Sequence, residues 1–351
     1  TMFLFINVFV FQPAVIYTGA LFMISMTGID ADLITIAIAF ALVGAAYSVL
    51  GGLRAVAVSD TYGGVLVLLM GLLVVVLSLM AIDFDLSGIP AERLTLIGDS
   101  DSPVPWHTLL TGMFLIQIFY WSTNQTITQR AMAAPTVKEA QKGVYAAAFI
   151  RVIFIPSMVV IPGIVAFKLY GDIGDQAYGR IVGDLLPSWL SGVFAAAIAA
   201  AVLSSFNSMV NSSAAMYVCD LHERYIDEKP NVRVLSGIAT GVFVLIAVAM
   251  VPVYAQSDSI INLLQELWGL ISMPILACFA VGILFKNVDY RAAIAAVIFG
   301  VLMYACFIWL WMPLHYIHMM FFTFFICVGL ALTINRLVLG NKAEFIGLQA
   351  V

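Results

Sequence analysis

Apolar residues run through this chain in long unbroken stretches, with the polar residues gathered between them. The runs are continuous rather than alternating, so they predict helices and not barrel strands. A helix needs about 20 apolar residues to cross the hydrocarbon core of a bilayer. Ten stretches meet that need, at 2–26, 31–50, 59–82, 106–130, 138–168, 182–219, 233–253, 258–285, 291–312 and 315–338. The 182–219 stretch exceeds one perpendicular crossing and is expected to tilt or to extend beyond the membrane. The longest hydrophilic stretches, 83–105 and 220–232, are too short to bury a core of their own. The expectation is an all-α polytopic membrane protein with one transmembrane domain over 1–351.

Composition makes the solvent explicit. The chain is 63% apolar and 10% charged, against about 45–50% and about 25% for a globular domain. So little charge cannot cover a soluble surface, and the first partner of the chain is the lipid bilayer. A net charge of −5 without a basic run excludes a nucleic-acid partner. Cys219, Cys278, Cys306 and Cys327 have no CxxC spacing and read as small core residues. His107, His222, His315 and His318 show no metal spacing, and the last two read as interfacial. The chain opens in apolar sequence with no basic leader region, which argues against a signal peptide. It predicts instead a protein whose upstream helices precede Thr1.

Lys and Arg set the orientation. With 51–58 on the cytoplasmic side, Arg54, Arg130, Lys138, Lys142, Arg224, Lys229, Arg233, Lys286, Arg291, Arg336 and Lys342 are inside. Arg93, Lys168 and Arg180 are outside, and Arg151 is left in the membrane: eleven against three. The acidic loop 83–105, with Asp83, Asp85, Glu92, Asp99 and Asp101, then faces out.

Polar residues at membrane depth are costly and mark function. The stretch from Gln117 through Tyr120, Trp121, Asn124 and Gln125 to Arg130 needs a bundle interior or a wet cavity. Tyr120 and Trp121 offer flat faces with a hydrogen-bonding edge, suited to a small polar solute. An interfacial aromatic belt is the alternative, although Trp121 lies about nine residues from Arg130, deep for such a belt. The Asn124-Gln125-Thr126 sequon lies within the predicted helix and is not a glycosylation site. Arg151 is flanked by apolar residues, where insertion costs about 2.5–3.5 kcal/mol. It needs a partner, a substrate group, or a snorkelling path to the surface. Ser204, Asn207, Ser208, Asn211 and Ser212 share one helix face after a run of alanines. Neutral oxygens of this kind suit reversible Na⁺ binding, or hydroxyls bonded back to the helix. Gln265 can donate and accept at once, and Gly269 and Pro274 permit a helix break. Glu266 and Asp258 read as nearer the outer interface. Asp60 opens a helix from the cytoplasmic side, where it suits the helix dipole.

These residues resemble the solute:sodium symporter family, and within it the sodium/glucose and galactose cotransporter branch. The resemblance rests on Gly51-Gly52-Leu53…Asp60 and on Tyr120-Trp121…Asn124-Gln125…Gln129-Arg130…Glu139-Ala140-Gln141-Lys142-Gly143. It rests further on Ser204-Ser205…Ser208…Asn211-Ser212 and Gln265-Glu266…Gly269-Leu270, in the family's order. The resemblance implies leucine-transporter-like inverted five-helix repeats. Residues 1–82 would be the last three helices of the first repeat, 106–286 the second repeat, and 291–340 accessory helices. It implies Tyr120 as the inner gate under the solute, with Trp121 beside it, and Gln265 as a sugar-binding residue. It implies Ala201, Ser204 and Ser205 as the main Na⁺ site, and Asp60 with Ser208 as a second site or exit path. The branch has Asn at Gln117 and Lys at Arg151, and an Arg there would favour an acidic sugar.

The expected function is sodium-coupled import of a small organic solute by alternating access in the cell membrane, a monosaccharide first. A sugar acid, inositol, an amino acid or a monocarboxylate is the alternative, and a symporter-fold sensor a further one. An enzyme is not expected, because no acidic pair or HExxH motif is present.

Overall fold

The computed structural model describes residues 2–95, 97, 98, 102, 104–257 and 260–347, without the side chains of 2, 47–60, 125, 126 and 262. Asp99, Asp101 and Asp258 therefore lie outside the described residues. In chain order the helices are α1 (Met2–Ile6), a π-helical stretch (Asn7–Phe11), α2 (Gln12–Thr27) and α3 (Leu33–Ala81). Then come α4 (Gly112–Ser122), α5 (Gln125–Met132), α6 (Val137–Ile153), α7 (Ile155–Tyr170) and α8 (Ala177–Leu185). They are followed by α9 (Ser188–Ala215), a second π stretch (Met216–His222), α10 (Glu223–Tyr225), α11 (Val232–Ala255) and α12 (Ile260–Leu284). The chain ends with β1 (Phe285–Lys286), α13 (Tyr290–Trp309), α14 (Tyr316–Leu337) and β2 (Glu344–Phe345). Among the described residues, eight helical stretches are long and apolar enough to cross a membrane, and Leu33–Ala46 and Gly112–Ser122 are shorter apolar helices. The chain is a multi-pass membrane protein.

Several expected spans change shape. The 31–50 and 59–82 spans share one helical run, α3, which contains no proline to interrupt it. A straight helix of 49 residues would be about 74 Å long. Yet Met26, just before α3, and Ile82, just after it, belong to one core cluster. The run is therefore not one straight rod. Asp60 falls inside it rather than at a helix N-terminus. The 138–168 span breaks at Phe154, two residues before Pro156, which has no N–H to donate to the Val152 carbonyl one turn back. The 182–219 span starts afresh at Ser188 after Pro187, and residues 182–185 belong to α8. The break allowed at Gly269 and Pro274 is not made, because α12 runs through both. Gly269 instead lets Tyr304 of α13 approach, since a Cβ there would overlap the Tyr304 hydroxyl.

The contacts divide the chain into two compact units, Phe3–Thr95 with Gln125–Ile260, and Leu96–Asn124 with Ile261–Val351. In the first, Met26, Met70, Val74, Val165, Ile181, Val182 and Phe194 form a core shared by α2, α3, α7, α8 and α9. Two buried polar ties hold the wide π turn near the start of the chain. Gln12 Nε2 donates to Ser213 Oγ of α9 at 2.9 Å. The buried Tyr254 of α11 donates to the Val10 and Phe9 carbonyls at 3.0 and 3.1 Å. A π turn leaves carbonyls short of partners, and in lipid they must find one.

All three cations that the charge bias places outside are paired in this unit. Arg93 meets Asp172 at 3.0 Å, Lys168 meets Asp85 at 3.0 Å, and Arg180 meets Asp184 at 3.1 Å. The Arg93 guanidinium also lies 3.8 Å over the Phe167 ring. The Asp85 carboxyl is held down to about 2, first by the Ser87 N–H and hydroxyl and then by Lys168. Because the folded value lies below the unfolded one, this tie is complete above about pH 4 and is lost as pH falls toward 2.

In the second unit α13 packs along α14, and α4 packs on α14. The fully buried Asn335 accepts from the Asp289 N–H at 2.9 Å and donates to the Asn287 and Asn341 carbonyls at 2.9 and 3.2 Å. That clasp stands beside the β1–β2 pair, where Phe285 faces Phe345. The histidines expected at the interface are more engaged than their spacing suggests. His107 Nδ1 lies 2.8 Å from His318 Nε2, and His318 Nδ1 lies 2.9 Å from Thr111 Oγ1.

Gly112 begins α4 where a Cβ would collide with the Ile317 backbone carbonyl. Gly112→Ala should destabilise the protein by about 1–3 kcal/mol, lowering its thermal unfolding temperature in detergent. Gly143→Ala on α6, with nothing within 4 Å of its Cβ, should leave that temperature unchanged or raise it.

Candidate functional site

The expected 106–130 helix is discontinuous. A 3₁₀ turn (Trp106–Leu110) leads into α4, which ends at Ser122, and α5 resumes at Gln125. The polar run itself makes the break. The Ser122 hydroxyl donates to the Ile118 carbonyl at 2.5 Å and Thr123 Oγ1 to the Phe119 carbonyl at 2.7 Å. Hydroxyls that cap carbonyls one turn back compete with continuation of the helix. The last carbonyls of α4 and the first N–H groups of α5 then lack partners within their own helices. Half-helix ends of this kind face ions and solutes in transporters.

Tyr120 and Trp121 sit in the last turn of α4. The Tyr120 ring stacks on Trp268 of α12, with centroids 5.3 Å apart and planes at 20°. Trp121 meets Tyr120 edge-on at 5.2 Å. Its indole N–H donates to Gln117 Oε1 at 3.2 Å. Gln265 lies one turn before Trp268 on α12, and its Oε1 accepts from the Tyr316 hydroxyl at 3.5 Å. One unit thus joins Gln117, Tyr120 and Trp121 through Trp268 to the helix of Gln265. Gln117 and Trp121 are exposed, while Tyr120, Gln265 and Trp268 are half-buried.

The other expected residues lie in the first unit. Ser204 is buried, Ala201 half-buried and Ser205 exposed on α9. Ser208 is fully buried and doubly engaged. Its hydroxyl donates to the Ser204 carbonyl at 2.9 Å and accepts from Arg130 Nη2 of α5 at 2.6 Å. Ser208, named by the resemblance for a second Na⁺ site or exit path, thus links α5 to α9. Farther along the same face, Asn207, Asn211 Nδ2 and Ser212 Oγ are buried without a hydrogen-bond partner among the described residues. Arg151 is exposed on α6, a helix with no buried residue, just before the break at Phe154. The side chain of Asp60 lies outside the described residues. Among the described residues no three His, Cys, Asp or Glu side chains gather as a divalent metal site.

Two residues escaped the sequence reading of the site. Trp268 stands inside the Gln265–Gly269 motif, but only packing reveals that its ring meets Tyr120. Arg130 reads as one more cytoplasmic cation until α5 is laid on α9. Trp268→Ala removes the stacking partner of Tyr120. Loss of that ring pair should cost about 0.5–1.5 kcal/mol, read as a lower thermal unfolding temperature in detergent.

Comparison with known proteins follows the same lines. The family model described as Sodium:solute symporter family matches residues 1–300. The chain is 31% identical over 348 residues to the uncharacterized symporter YidK of Escherichia coli (strain K12), covering 93% of this chain and 61% of that one. It is 31% identical over 328 residues to the sodium/glucose cotransporter of Vibrio parahaemolyticus, covering 83% and 60%. It is 25% identical over 346 residues to the sodium/myo-inositol cotransporter 2 of Mus musculus, covering 86% and 51%. The chain therefore spans 51–61% of the length of these relatives. Among solved structures, a Na⁺-coupled sialic acid symporter in a substrate-bound outward-open state matches with a TM-score of 0.79 at 17% identity, over 98% of this chain and 75% of that one. At that identity the likeness is one of fold.

Proposed function

This chain belongs to the sodium:solute symporter family, and from that premise we propose that it serves sodium-driven import of a small organic solute across the cell membrane. The family is one of transporters, not enzymes. The observation that carries the proposal is the polar face of α9. It holds the hydroxyls of Ser204 and Ser205 and the carbonyl of Ala201 at membrane depth, with no carboxylate among α9's own residues. Neutral oxygens bind Na⁺ loosely enough to release it, as a co-transported ion requires. In this reading Ala201, Ser204 and Ser205 ligate Na⁺. Asp60 and Ser208 lie on its way to the cytoplasm.

The solute reading rests on the second unit. Tyr120, backed by Trp268, closes beneath a flat, hydroxyl-bearing solute, while Gln117 and Gln265 bond its hydroxyls. A monosaccharide is the first choice, and the sodium/glucose relative supports it. A sugar acid is the second, because Arg151 can hold a carboxylate through two parallel bonds. The inositol and sialic acid relatives keep polyols and acidic sugars within the same class.

Sodium binding and solute binding must strengthen each other equally. One Na⁺ entering across about 100 mV gains about 2.3 kcal/mol, and a tenfold gradient adds about 1.4. Together these sustain on the order of 500-fold accumulation of a neutral solute.

Sodium-dependent uptake by the intact protein in proteoliposomes, with glucose, galactose, inositol and sialic acid as competitors, tests both parts. Ser204→Ala with Ser205→Ala should abolish the sodium dependence, and uptake that keeps its sodium dependence would remove α9 as the site. Arg151→Gln should weaken competition by an acidic sugar more than by a neutral one if the acid is the solute, and equally if it is not.

A further inference from the structure

The helix that ends at Tyr120 and Trp121 is fastened at its other end by two histidines. His107 stands in the 3₁₀ turn Trp106–Leu110, which leads straight into α4. His318 stands in the first turn of α14. They are 211 positions apart in the chain, yet His107 Nδ1 lies 2.8 Å from His318 Nε2. Their rings stack with centroids 4.9 Å apart and planes at 11°. His318 Nδ1 lies 2.9 Å from Thr111 Oγ1, between the same turn and α4. Both histidines are half-buried. The turn, α4, α14 and the Tyr120–Trp268 stack all belong to one compact unit.

Two ring nitrogens at this distance need one proton between them. One nitrogen donates it and the other must be bare, whichever ring carries it. A protonated imidazole is a donor at both nitrogens. Once both rings are protonated, two N–H groups and two positive charges face each other, and the contact fails. Histidine is the side chain whose charge ordinarily changes between about pH 5 and 8. The other titratable groups on the elements around the pair are engaged elsewhere. His315 starts α14, and its Nδ1 accepts from the Ile317 N–H. The Tyr316 hydroxyl bonds to Gln265 of α12, and the Tyr304 hydroxyl of α13 to the Tyr316 carbonyl. Glu266 of α12 acts on Tyr304 and Tyr316. Asp99 and Asp101, in the loop before the turn, lie outside the described residues. Among the described residues, His107 is the charge that acts on His318.

We propose that His107 and His318 form a pH-sensitive clasp, which acid outside the cell opens to slow uptake. The Lys/Arg bias puts both histidines on the outer side. With the clasp shut, the 3₁₀ turn is bound to α14 and fixes the start of α4. Helix α4 is a single run of 11 residues, so freedom at its start reaches Tyr120 in its last turn. Opening takes up a proton. The clasp is therefore complete above the histidine range and is lost as pH falls through it. Its effect on uptake rests on the reading of Tyr120 as the residue that closes beneath the solute. It involves none of the proposed sodium ligands.

The test uses the intact protein in outside-out proteoliposomes with the interior held at about pH 7.5, one unit above the ordinary histidine value. Sodium-driven uptake is measured with the outside at about pH 7.5 and about pH 5.5, using whichever of glucose, galactose, inositol and sialic acid the protein carries. The thermal unfolding temperature in detergent at the same two values is the second measurement. Two pH units across the ordinary histidine value of about 6.5 should lower wild-type uptake about tenfold, and the unfolding temperature should fall with it. Glutamine does not titrate, so His107→Gln and His318→Gln should each give uptake and an unfolding temperature that are nearly the same at both values. Either variant that folds suffices. A wild-type uptake profile that is flat over this range overturns the proposal, and so does an acid-induced fall that survives in the variant. If wild-type uptake proves independent of sodium, the symport reading fails, and the unfolding temperatures still decide the clasp.

Discussion

A backbone in lipid must satisfy its own polar groups, since no water is there to do so. Most of this chain obeys by forming long helices. Where the helix is interrupted, a specific side chain takes over the duty. Ser122 and Thr123 bond back to α4 at the break before α5. Tyr254 covers the carbonyls of the first π stretch. Asn335 holds three backbone groups where the chain turns between α12 and α13. These three interruptions are built and not merely tolerated. The one on the way from α4 to α5 has Tyr120 and Trp121 on one side and Arg130 on the other.

The same economy governs charge. The cations assigned to the outer face are each joined to an aspartate. Contacts between loops also join segments that the charge bias puts on one side. Asp85 with Lys168, Arg93 with Asp172, and Asp175 with the Ile260 N–H meet in the first unit. His107 with His318, and Phe285 with Phe345, meet in the second. A wrong orientation for any intervening helix would have separated such partners by the thickness of a bilayer. The Arg130–Ser208 contact is of another kind, because it joins a cation to a buried hydroxyl of α9.

Many of the candidate residues were conspicuous because polar residues are rare in these helices. Tyr120, Trp121, Gln265 and Ser204 stand out for that reason, and Ser205 through the family resemblance. Asn207 and Ser212 stood out too, by their spacing on one face. Trp268 did not, since an aromatic residue in an apolar stretch carries no sign of which ring it meets. Arg130 was read through its charge as a marker of sidedness, and that reading concealed its contact. The break near Asn124 was hidden because Ser, Thr and Asn are only mildly unfavourable in helices. Proline gave a clear signal at Pro156 and Pro187 and none at Pro274, which α12 absorbs. Two separate spans were expected over 31–50 and 59–82, yet the backbone stays helical between them, because Gly51 and Gly52 allow a break without requiring one.

The sequence by itself determined that this chain lies in a membrane, how many apolar stretches it has, which way the charges turn them, and which polar residues are out of place there. These follow from composition and one-dimensional spacing, since transfer from water to lipid acts on each stretch independently. Only the tertiary structure decided where the helices break, that Tyr120 rests on Trp268, and that Arg130 donates to Ser208. Those outcomes depend on which residues far apart in the chain come within a few ångströms, and hydrogen bonds and ring contacts are strong only at that range. The membrane span is a property of a segment, and the site is a property of the meeting of segments.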